Sequence, residues 1–250
     1  MEEKVFFDGE FGKICGVLHK ANDKKEIAII VHGFSSTKDR GTLNATQALE
    51  KAGINALRID LDNRGESELD FASGATIPNY IKQVEATMKY CQEIGYKEIS
   101  LVGTSYGGTV AFAVALLHPE IKRLVLRVPV VDYKEHVVWG YGKDKVEEFK
   151  KQGFVPYFSN TTKESFKVTF DFIEKSYPYS MYEHAKEIQI PTLIIQGDKD
   201  EDVDPLAAKR AVKFFPNAKL HIVKGASHKL GVGEDFSEAH NVLVDFFKSK

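Results

Sequence analysis

Short apolar runs alternate with helical patterns along most of this chain of 250 residues. Several runs consist almost entirely of Ile, Val and Leu and lack the polar alternation of a sheet that faces water on one side. A central parallel strand has helices on both faces, so it has no solvent-facing side. The order of elements therefore predicts an α/β chain with a mainly parallel central sheet and helices on both faces. The predicted strands are 13–18, 27–31, 54–59, 98–102, 124–128, 192–196 and 219–223.

Apolar residues also recur at helical spacing between these strands. Four of them follow one another at intervals of 3, 4 and 3 residues, which predicts an amphipathic helix over 79–94. The same spacing predicts a helix that closes the chain. A third helix is predicted to begin near residue 42 and to end at Gly53. The four apolar residues are Ile81, Val84, Met88 and Cys91.

One stretch, 132–185, interrupts the alternation and holds 13 of the 28 aromatic residues. We predict that it is an inserted cap, and that 1–131 and 186–250 form the core domain. The aromatic side chains either pack into a small core of the cap or line a substrate pocket. Residues 166–173 fit a strand by alternation and a helix by spacing, and both assignments stay open.

Composition excludes several classes of protein. The chain carries 34 basic and 36 acidic residues without a long basic block, so it lacks the positive patch that binds nucleic acid. A hydrophobic fraction of 43% is too high for a disordered chain. No apolar run approaches the roughly 20 residues that span a membrane, and the acidic start does not fit a signal peptide. We therefore expect a cytoplasmic protein without a membrane span.

The chain is not expected to bind a metal or a cofactor. Its two cysteines, Cys15 and Cys91, cannot form a metal cluster or a disulfide framework, and we expect both to pack as small apolar residues. No G-x-G-x-x-G follows an early strand, and no His, Cys or carboxylate cluster has metal-ligand spacing. Monomer and homodimer both stay open.

The sequence Gly103-Thr104-Ser105-Tyr106-Gly107 lies between a predicted strand and a predicted helix. In this G-x-S-x-G arrangement a serine occupies a sharp, strained turn and its hydroxyl is exposed. Glycines flank the serine because the backbone is tight and the next helix packs closely behind it. The N–H of Tyr106 lies in the first turn of that helix, so we expect it to face a developing oxyanion. The motif predicts Ser105 as a nucleophile.

A serine hydroxyl is a weak nucleophile near pH 7, so it needs a histidine base and an acid that orients the histidine. Two later loops, each directly after a predicted strand, contain candidates. The first loop has four aspartates and the second has His228. Carboxyl ends of parallel strands meet at one edge of a sheet, and the order serine, acid, histidine fits this architecture. The aspartates are Asp198, Asp200, Asp202 and Asp204.

Together these motifs resemble the α/β-hydrolase superfamily. They are His32-Gly33-Phe34 after an early strand, the serine turn, a G-x-x-D loop and a late G-x-x-H loop, and they cover nearly the whole chain. One loop departs from the family pattern: many members have G-H-G-x-S where this chain reads NRGES at 63–67, with Arg64 in place of the histidine. That loop supports the fold more than the chemistry, so the departure does not affect the predicted triad.

The resemblance implies a role for each matching residue. Asp200 ends the G-x-x-D motif and corresponds to the acid, while His228 corresponds to the base that activates Ser105. Asp198 is the next candidate for the acid, and Asp132, just after an earlier strand, is a remote alternative.

The resemblance also implies an oxyanion hole formed by the backbone N–H groups of Phe34 and Tyr106, with the ring of Phe34 lining the acyl pocket. Aromatic residues of the cap are predicted to complete the substrate site. The predicted substrate-binding residues are Phe34, Trp139, Tyr141, Phe154, Tyr157 and Phe158.

Within the superfamily, HGFSS near the start, a cap of about 50 residues and the ending GASHKLGVGEDFSEAHNVLVDFFKSK are most similar to bacterial cinnamoyl and feruloyl esterases and to monoacylglycerol-lipase-like serine hydrolases. This resemblance implies a serine carboxylesterase that hydrolyses small carboxylic esters, with hydroxycinnamates as one class, through an acyl-enzyme. The alternatives are a peptidase or amidase, an acyl thioesterase with the same triad, or a catalytically silent ligand-binding receptor. Four cap lysines either bind CoA or form the solvated face of a charged helix. These are Lys143, Lys145, Lys150 and Lys151.

Overall fold

The computed structural model describes residues 2–159, 163–230 and 236–249, and within them the chain forms ten strands and ten α-helices. The strands are β1 (Glu2–Gly9), β2 (Gly12–His19), β3 (Glu26–Val31), β4 (Ala56–Ile59), β5 (Glu98–Thr104), β6 (Leu124–Arg127), β7 (Phe154–Phe158), β8 (Ser165–Thr169), β9 (Thr192–Gly197) and β10 (Ala218–Val223). The helices are α1 (Leu43–Lys51), α2 (Phe71–Gly74), α3 (Ile77–Glu93), α4 (Tyr106–Leu117), α5 (Tyr133–Tyr141), α6 (Lys143–Gln152), α7 (Phe170–Ser176), α8 (Met181–His184), α9 (Pro205–Ala211) and α10 (Phe236–Lys248).

Eight of the described strands form one sheet in the order β1-β2-β4-β3-β5-β6-β9-β10. The six strands from β4 to β10 in this order pair in parallel, and β1 and β2 add an antiparallel edge. The predicted mainly parallel sheet is therefore confirmed. All seven predicted strands occur, with ends that shift by at most two residues.

Both faces of the central strands are buried, which explains their continuous apolar sequences. In β3, Ile29 packs into the core cluster on one face of the sheet, and Ile30 packs into the cluster on the other. In β5, Leu101 and Val102 divide in the same way. Helices cover each face, so these strands have no side that faces water.

The first strand, β1, was not predicted from the sequence. Its alternation is short: Val5 and Phe7 are buried, whereas Phe6 between them is exposed. The strand pairs antiparallel with β2 along its full length, with Val5 opposite Gly16. Because a sheet edge needs only one buried face, two apolar residues were enough to form this strand.

The predicted helix over 79–94 is α3, which begins at Ile77, two residues earlier than expected. Thr76 caps the helix through its side chain, and Pro78 occupies the first turn, where a missing N–H costs nothing. The closing helix is α10, and residues 231–235 of the ending used for the family resemblance lie outside the described residues. No helix among the described residues is long and apolar enough to cross a membrane.

The segment 132–185 connects β6 to β9 and contains its own antiparallel hairpin, β7–β8. Both interpretations of 166–173 are partly right, because the strand β8 ends at Thr169 and the helix α7 begins at Phe170. The side chain of Thr169 makes this change possible, since it accepts a hydrogen bond from the Phe172 N–H at 3.3 Å and caps the helix. We keep the name cap for 132–185, and its status as a separate subdomain stays a prediction.

Candidate active site

Ser105 lies at the junction of β5 and α4 with a positive φ of 55°. The backbone is held in this conformation by the Ser105 N–H, which donates to the carbonyl of Arg127 at 2.8 Å. A Cβ on Gly103 would lie 2.2 Å from the carbonyl oxygen of Gly107, and one on Gly107 would lie 2.2 Å from that of His32. The two glycines of the motif are therefore required by contacts with backbone atoms.

Asp200 and His228 form the central hydrogen bond of the site. Nδ1 of His228 lies 3.0 Å from Oδ1 and 2.9 Å from Oδ2 of Asp200. The carboxylate is buried, and it also accepts hydrogen bonds from the N–H groups of Asp202 and Val203 and from the side chain of Gln196. Since the amide of Gln196 and the two N–H groups donate, the carboxylate of Asp200 is arranged as an acceptor that orients the imidazole.

The alternative acids have other partners. Asp198 accepts a hydrogen bond from the Gly225 N–H at 2.6 Å. Asp204 caps α9 and pairs with Arg210 at 2.9 Å. Asp132 caps α5 by accepting from the Glu135 N–H at 2.8 Å. Each of these carboxylates stabilises a loop or a helix start, and none of them is hydrogen bonded to His228 among the described residues.

Ser105 and His228 both follow the carboxyl ends of parallel strands, β5 and β10. Among the described residues, Ser105 Oγ makes no hydrogen bond to the imidazole of His228. Hydrogen bonds of a nucleophile with its base are often longer in a ligand-free enzyme and shorten when substrate binds. The structure thus joins the base and the acid directly, and the serine is the member of the predicted triad without such a bond.

The loop that carries Phe34 passes directly beside the serine. A Cβ on Gly33 would lie 3.3 Å from Cβ of Ser105. The preceding His32 is buried, and its Nε2 accepts from the Leu61 N–H at 3.0 Å, so its Nδ1 donates to the Gly33 carbonyl at 2.8 Å. His32 therefore fixes the start of this loop.

A cavity of about 60 Å³ adjoins Phe34 between the core and the cap hairpin. Its aromatic residues are in ring contact with one another: Phe34 lies 5.3 Å from Phe71 and 4.9 Å from Phe172 between ring centroids, and Phe71 lies 5.4 Å from Phe166. The remaining lining residues are Ala72, Ser73, Ala75, Thr76, Lys167, Val168, Thr169 and Asp171.

The structure places the six predicted substrate-binding residues in different surroundings. Phe34 lines the cavity, and the ring of Tyr157 contacts that of Phe34 at 5.2 Å. Trp139, Tyr141 and Phe158 are 42%, 39% and 53% exposed. Phe154 lies beneath the ammonium group of Lys167, at 4.2 Å. Three further rings that line the cavity were not among the predicted substrate-binding residues: Phe71, Phe166 and Phe172. Aromatic composition alone does not show which rings face a cavity.

Arg64, at the departure from the family pattern, links the core to the cap. Its guanidinium lies 4.8 Å from the ring centroid of Phe71 and 5.0 Å from that of Phe166, and it forms an ion pair with Glu164. These contacts are cation–π interactions at the rim of the cavity. The effect of the departure is therefore local packing, as expected.

His136 adds a second imidazole close to the His228 and Asp200 pair. Burial, together with the charge of His228, lowers the pKa of His136 to about 4, although Asp200 acts in the opposite direction. Its Nδ1 is buried without a hydrogen-bond partner among the described residues. His136 is therefore neutral near pH 7, and no sequence signal pointed to it.

Two side-chain groups bring three potential metal ligands together, and in both a basic side chain is hydrogen bonded to a member of the group. In the group of Glu2, His19 and Glu50, the Nε2 of His19 accepts from Nε of Arg58 at 3.1 Å. In the group of Cys15, Asp60 and Glu66, Nζ of Lys38 contacts both carboxylates. Lys38 supplies the positive charge between the carboxylates of the second group, so that group does not fit a metal ion.

Comparison with known proteins agrees with this architecture. The family model described as "Serine aminopeptidase, S33" matches residues 22–171. Human monoacylglycerol lipase ABHD6 is 22% identical over 260 residues, which cover 90% of this chain and 76% of the relative. The 2-hydroxymuconate semialdehyde hydrolase of Pseudomonas putida is 24% identical over 231 residues, which cover 80% of each chain.

Among solved structures, Est1E from Butyrivibrio proteoclasticus with bound ferulic acid matches with a TM-score of 0.83 at 20% identity, over 98% of both chains. This similarity establishes the α/β-hydrolase fold. Because the family model also matches more than half of the sequence, the chain belongs to the serine aminopeptidase S33 family of α/β-hydrolases.

Proposed function

We propose that this protein is a serine carboxylesterase that hydrolyses small carboxylic esters through an acyl-enzyme. The observation that carries the proposal is the hydrogen bond from His228 to the buried, fully satisfied carboxylate of Asp200. The strained backbone of Ser105 at the same edge of the sheet supports it. Monoacylglycerol lipases among the relatives also cleave esters, which favours this substrate class.

In the proposed reaction, Oγ of Ser105 attacks the ester carbonyl while Nε2 of His228 accepts the hydroxyl proton. The C–O bond to the alcohol then breaks, and the imidazolium returns that proton to the leaving oxygen. A water molecule next attacks the acyl-enzyme carbonyl and gives a proton to His228, which passes it to Ser105 as the acid departs. Asp200 orients the imidazole and stabilises its positive charge throughout.

The carbonyl oxygen becomes negatively charged in both tetrahedral intermediates. The N–H groups of Phe34 and Tyr106 are the proposed donors, since one begins the loop beside Ser105 and the other begins α4. A single donor of this kind contributes about 2.7 to 4 kcal/mol in a comparable site. The rigid backbone at both positions favours such a contribution because it needs no reorganisation during the reaction.

The cavity beside Phe34 is the proposed acyl pocket. Its volume of about 60 Å³ is much smaller than the roughly 150 Å³ that holds benzene in an engineered protein core. The pocket therefore suits a short acyl group as it stands, and an aromatic acyl group such as a hydroxycinnamate requires the rings of Phe71 and Phe166 to move apart.

The charged groups near the site favour neither alternative hydrolase. An aminopeptidase needs a free carboxylate for the substrate ammonium group, but Glu135 and Asp204 both pair with Arg210. A thioesterase would use free cap lysines for CoA, but Lys145 pairs with Glu148 at 2.7 Å and Lys150 lies 3.9 Å from Glu174. These pairs support the solvated-helix interpretation of Lys145 and Lys150.

The test is hydrolysis of p-nitrophenyl esters from acetate to decanoate, with methyl ferulate, one acyl-CoA and one aminoacyl anilide in the same panel. We expect Ser105→Ala to abolish ester turnover and labelling by a fluorophosphonate. Ser165→Ala, which changes an exposed serine at the start of β8, is the matched control and should retain both. Ester turnover that persists in Ser105→Ala would refute the proposal.

A further inference from the structure

The loop that carries Phe34 is joined to the cap by a hydrogen bond between two buried serines. The hydroxyl of Ser35 donates to Oγ of Ser159 at 2.9 Å, although 124 positions separate the two residues. Ser35 is 2% exposed and Ser159 is 0% exposed. Because Ser159 directly follows the strand β7, the bond connects this loop to the cap hairpin.

The backbone at Ser35 needs such support. Its φ of 54° is in the left-handed region, and the Ser36 N–H donates to the Gly33 carbonyl at 3.2 Å. Residues 33–36 thus form a turn in which the third position has a positive φ, and this position normally takes glycine or asparagine. A serine persists there only when surrounding contacts hold it, and the hydrogen bond to Ser159 is such a contact.

The cap also contacts the side chains of both proposed oxyanion donors. The ring of Phe172 lies 4.9 Å from that of Phe34 and 5.3 Å from that of Tyr106 between centroids. A single cap residue therefore packs against the side chains of both proposed donors.

We propose that the cap completes the oxyanion hole, because Ser159 holds Ser35 in its left-handed conformation and thereby fixes the direction of the Phe34 N–H. This inference rests on the proposed function, in which that N–H is a donor to the oxyanion. Ser35 and Ser159 are then positioning residues, since they act through Phe34 without contacting the substrate. Their loss affects the tetrahedral intermediate more than the bound ester.

The test uses Ser159→Ala with p-nitrophenyl butyrate as substrate. We expect kcat to fall about 10- to 100-fold, the range for a misplaced or weakened donor, while KM changes by less than about twofold. The affinity for an alkyl trifluoromethyl ketone, which forms a tetrahedral adduct with the serine, should fall by the same factor as kcat. Fluorophosphonate titration gives the concentration of active sites, so partial unfolding is not counted as slow turnover.

Ser35→Ala provides an independent variant, since alanine keeps a Cβ at the positive φ and removes only the hydroxyl group that bonds Ser159. It should lower kcat to the same degree, and adding Ser159→Ala to it should have no further effect. If Ser159→Ala does not fold, Ser35→Ala alone decides the test. Ser180→Ala is the matched control, because Ser180 is a buried cap serine whose Oγ has no partner in the described part of the chain.

Three outcomes would overturn the inference: unchanged kcat in the serine variants, a rise in KM alone, or additive effects of the two substitutions. If the wild-type protein still shows turnover that depends on Ser105, these outcomes leave the proposed function intact. A wild-type protein without Ser105-dependent ester turnover would instead refute the proposed function, and the role of Ser159 would fall with it.

Discussion

Nδ1 of His228 lies within 3.0 Å of both carboxylate oxygens of Asp200, although the two residues come from loops that follow different strands. The neighbouring backbone N–H groups of Asp202 and Val203 hold the carboxylate in place at 3.0 and 2.9 Å. The carboxylate that we propose as the acid of the triad is thus oriented in the structure without a bound substrate.

Replacing this acid by its amide should slow turnover severely. In Asp200→Asn we expect kcat to fall by about 10³ to 10⁴, because an amide no longer selects the tautomer of His228 or stabilises its positive charge. Steady-state kinetics with p-nitrophenyl butyrate measure the effect. Asp198→Asn, two positions away, should stay within a few-fold of wild type, and a larger loss in Asp198→Asn than in Asp200→Asn would contradict the assignment.

Truncation of Phe71 should change the preference for acyl length. The ring lies between Phe34 and Phe166 in the wall of the cavity, so Phe71→Ala enlarges the pocket. We expect the ratio of kcat/KM for octanoate over butyrate to rise at least about 10-fold, since one additional methylene that fits an apolar pocket is worth about that much. Phe158→Ala, which removes an exposed ring of the cap, should leave the ratio unchanged. If Phe158→Ala raised the ratio and Phe71→Ala did not, the acyl pocket would instead lie beside Phe158 at the outer surface of the cap.

The stability of the protein should fall on the acid side because of His136. Its pKa is about 4 in the folded protein and 6.5 when exposed, so the unfolded chain takes up a proton first as the pH falls. The contribution of neutral His136 to the unfolding free energy is therefore complete above pH 6.5 and is lost as the pH falls towards 4. Between pH 7 and pH 5, His136→Leu should lose about 2 kcal/mol less unfolding free energy than the wild type, as measured by urea titration.

His118 is a control, because its contribution to the unfolding free energy should change with pH in the opposite direction. Burial acts to lower the pKa of His118, but hydrogen bonds to Glu85 and Glu120 outweigh it, and the net pKa is raised. Its stabilisation is therefore present below pH 6.5 and is lost as the pH rises through the folded-state pKa. His118→Gln should destabilise the protein at pH 5.5 more than at pH 8, and equal losses at both pH values would refute the paired-charge explanation.

Lys38 should be essential for stability because it compensates a buried charge. Nζ of Lys38 lies 2.9 Å from Oδ2 of Asp60, and both side chains are almost completely buried. Lys38→Met leaves Asp60 without a counter-charge, so the unfolding free energy should fall by about 3 to 5 kcal/mol. Lys4 also pairs with Glu66 but is half exposed, so Lys4→Met should leave the urea midpoint almost unchanged. Equal losses of unfolding free energy in the two variants would contradict the expectation that burial of the ion pair determines its contribution.

The sequence by itself determined those features that depend on local sterics and on patterns of burial. Continuous apolar runs such as 27–31 require a strand buried on two faces, and this alone predicted the parallel sheet. Gly103 and Gly107 mark the serine turn because no other residue fits against the adjacent backbone. These requirements concern neighbouring atoms, so they are visible in the order of residues.

Only the tertiary structure distinguished residues that the sequence presents as equivalent. Asp198 and Asp200 lie in one loop with the same side chain, and only the position of His228, brought from another strand, makes one of them its partner. Aromatic residues are dense throughout the cap, but Phe166 faces the cavity while Phe158 in the same hairpin faces solvent. The bond between Ser35 and Ser159 spans 124 positions. Such contacts depend on how distant segments pack, and the sequence carries no local signal for that packing.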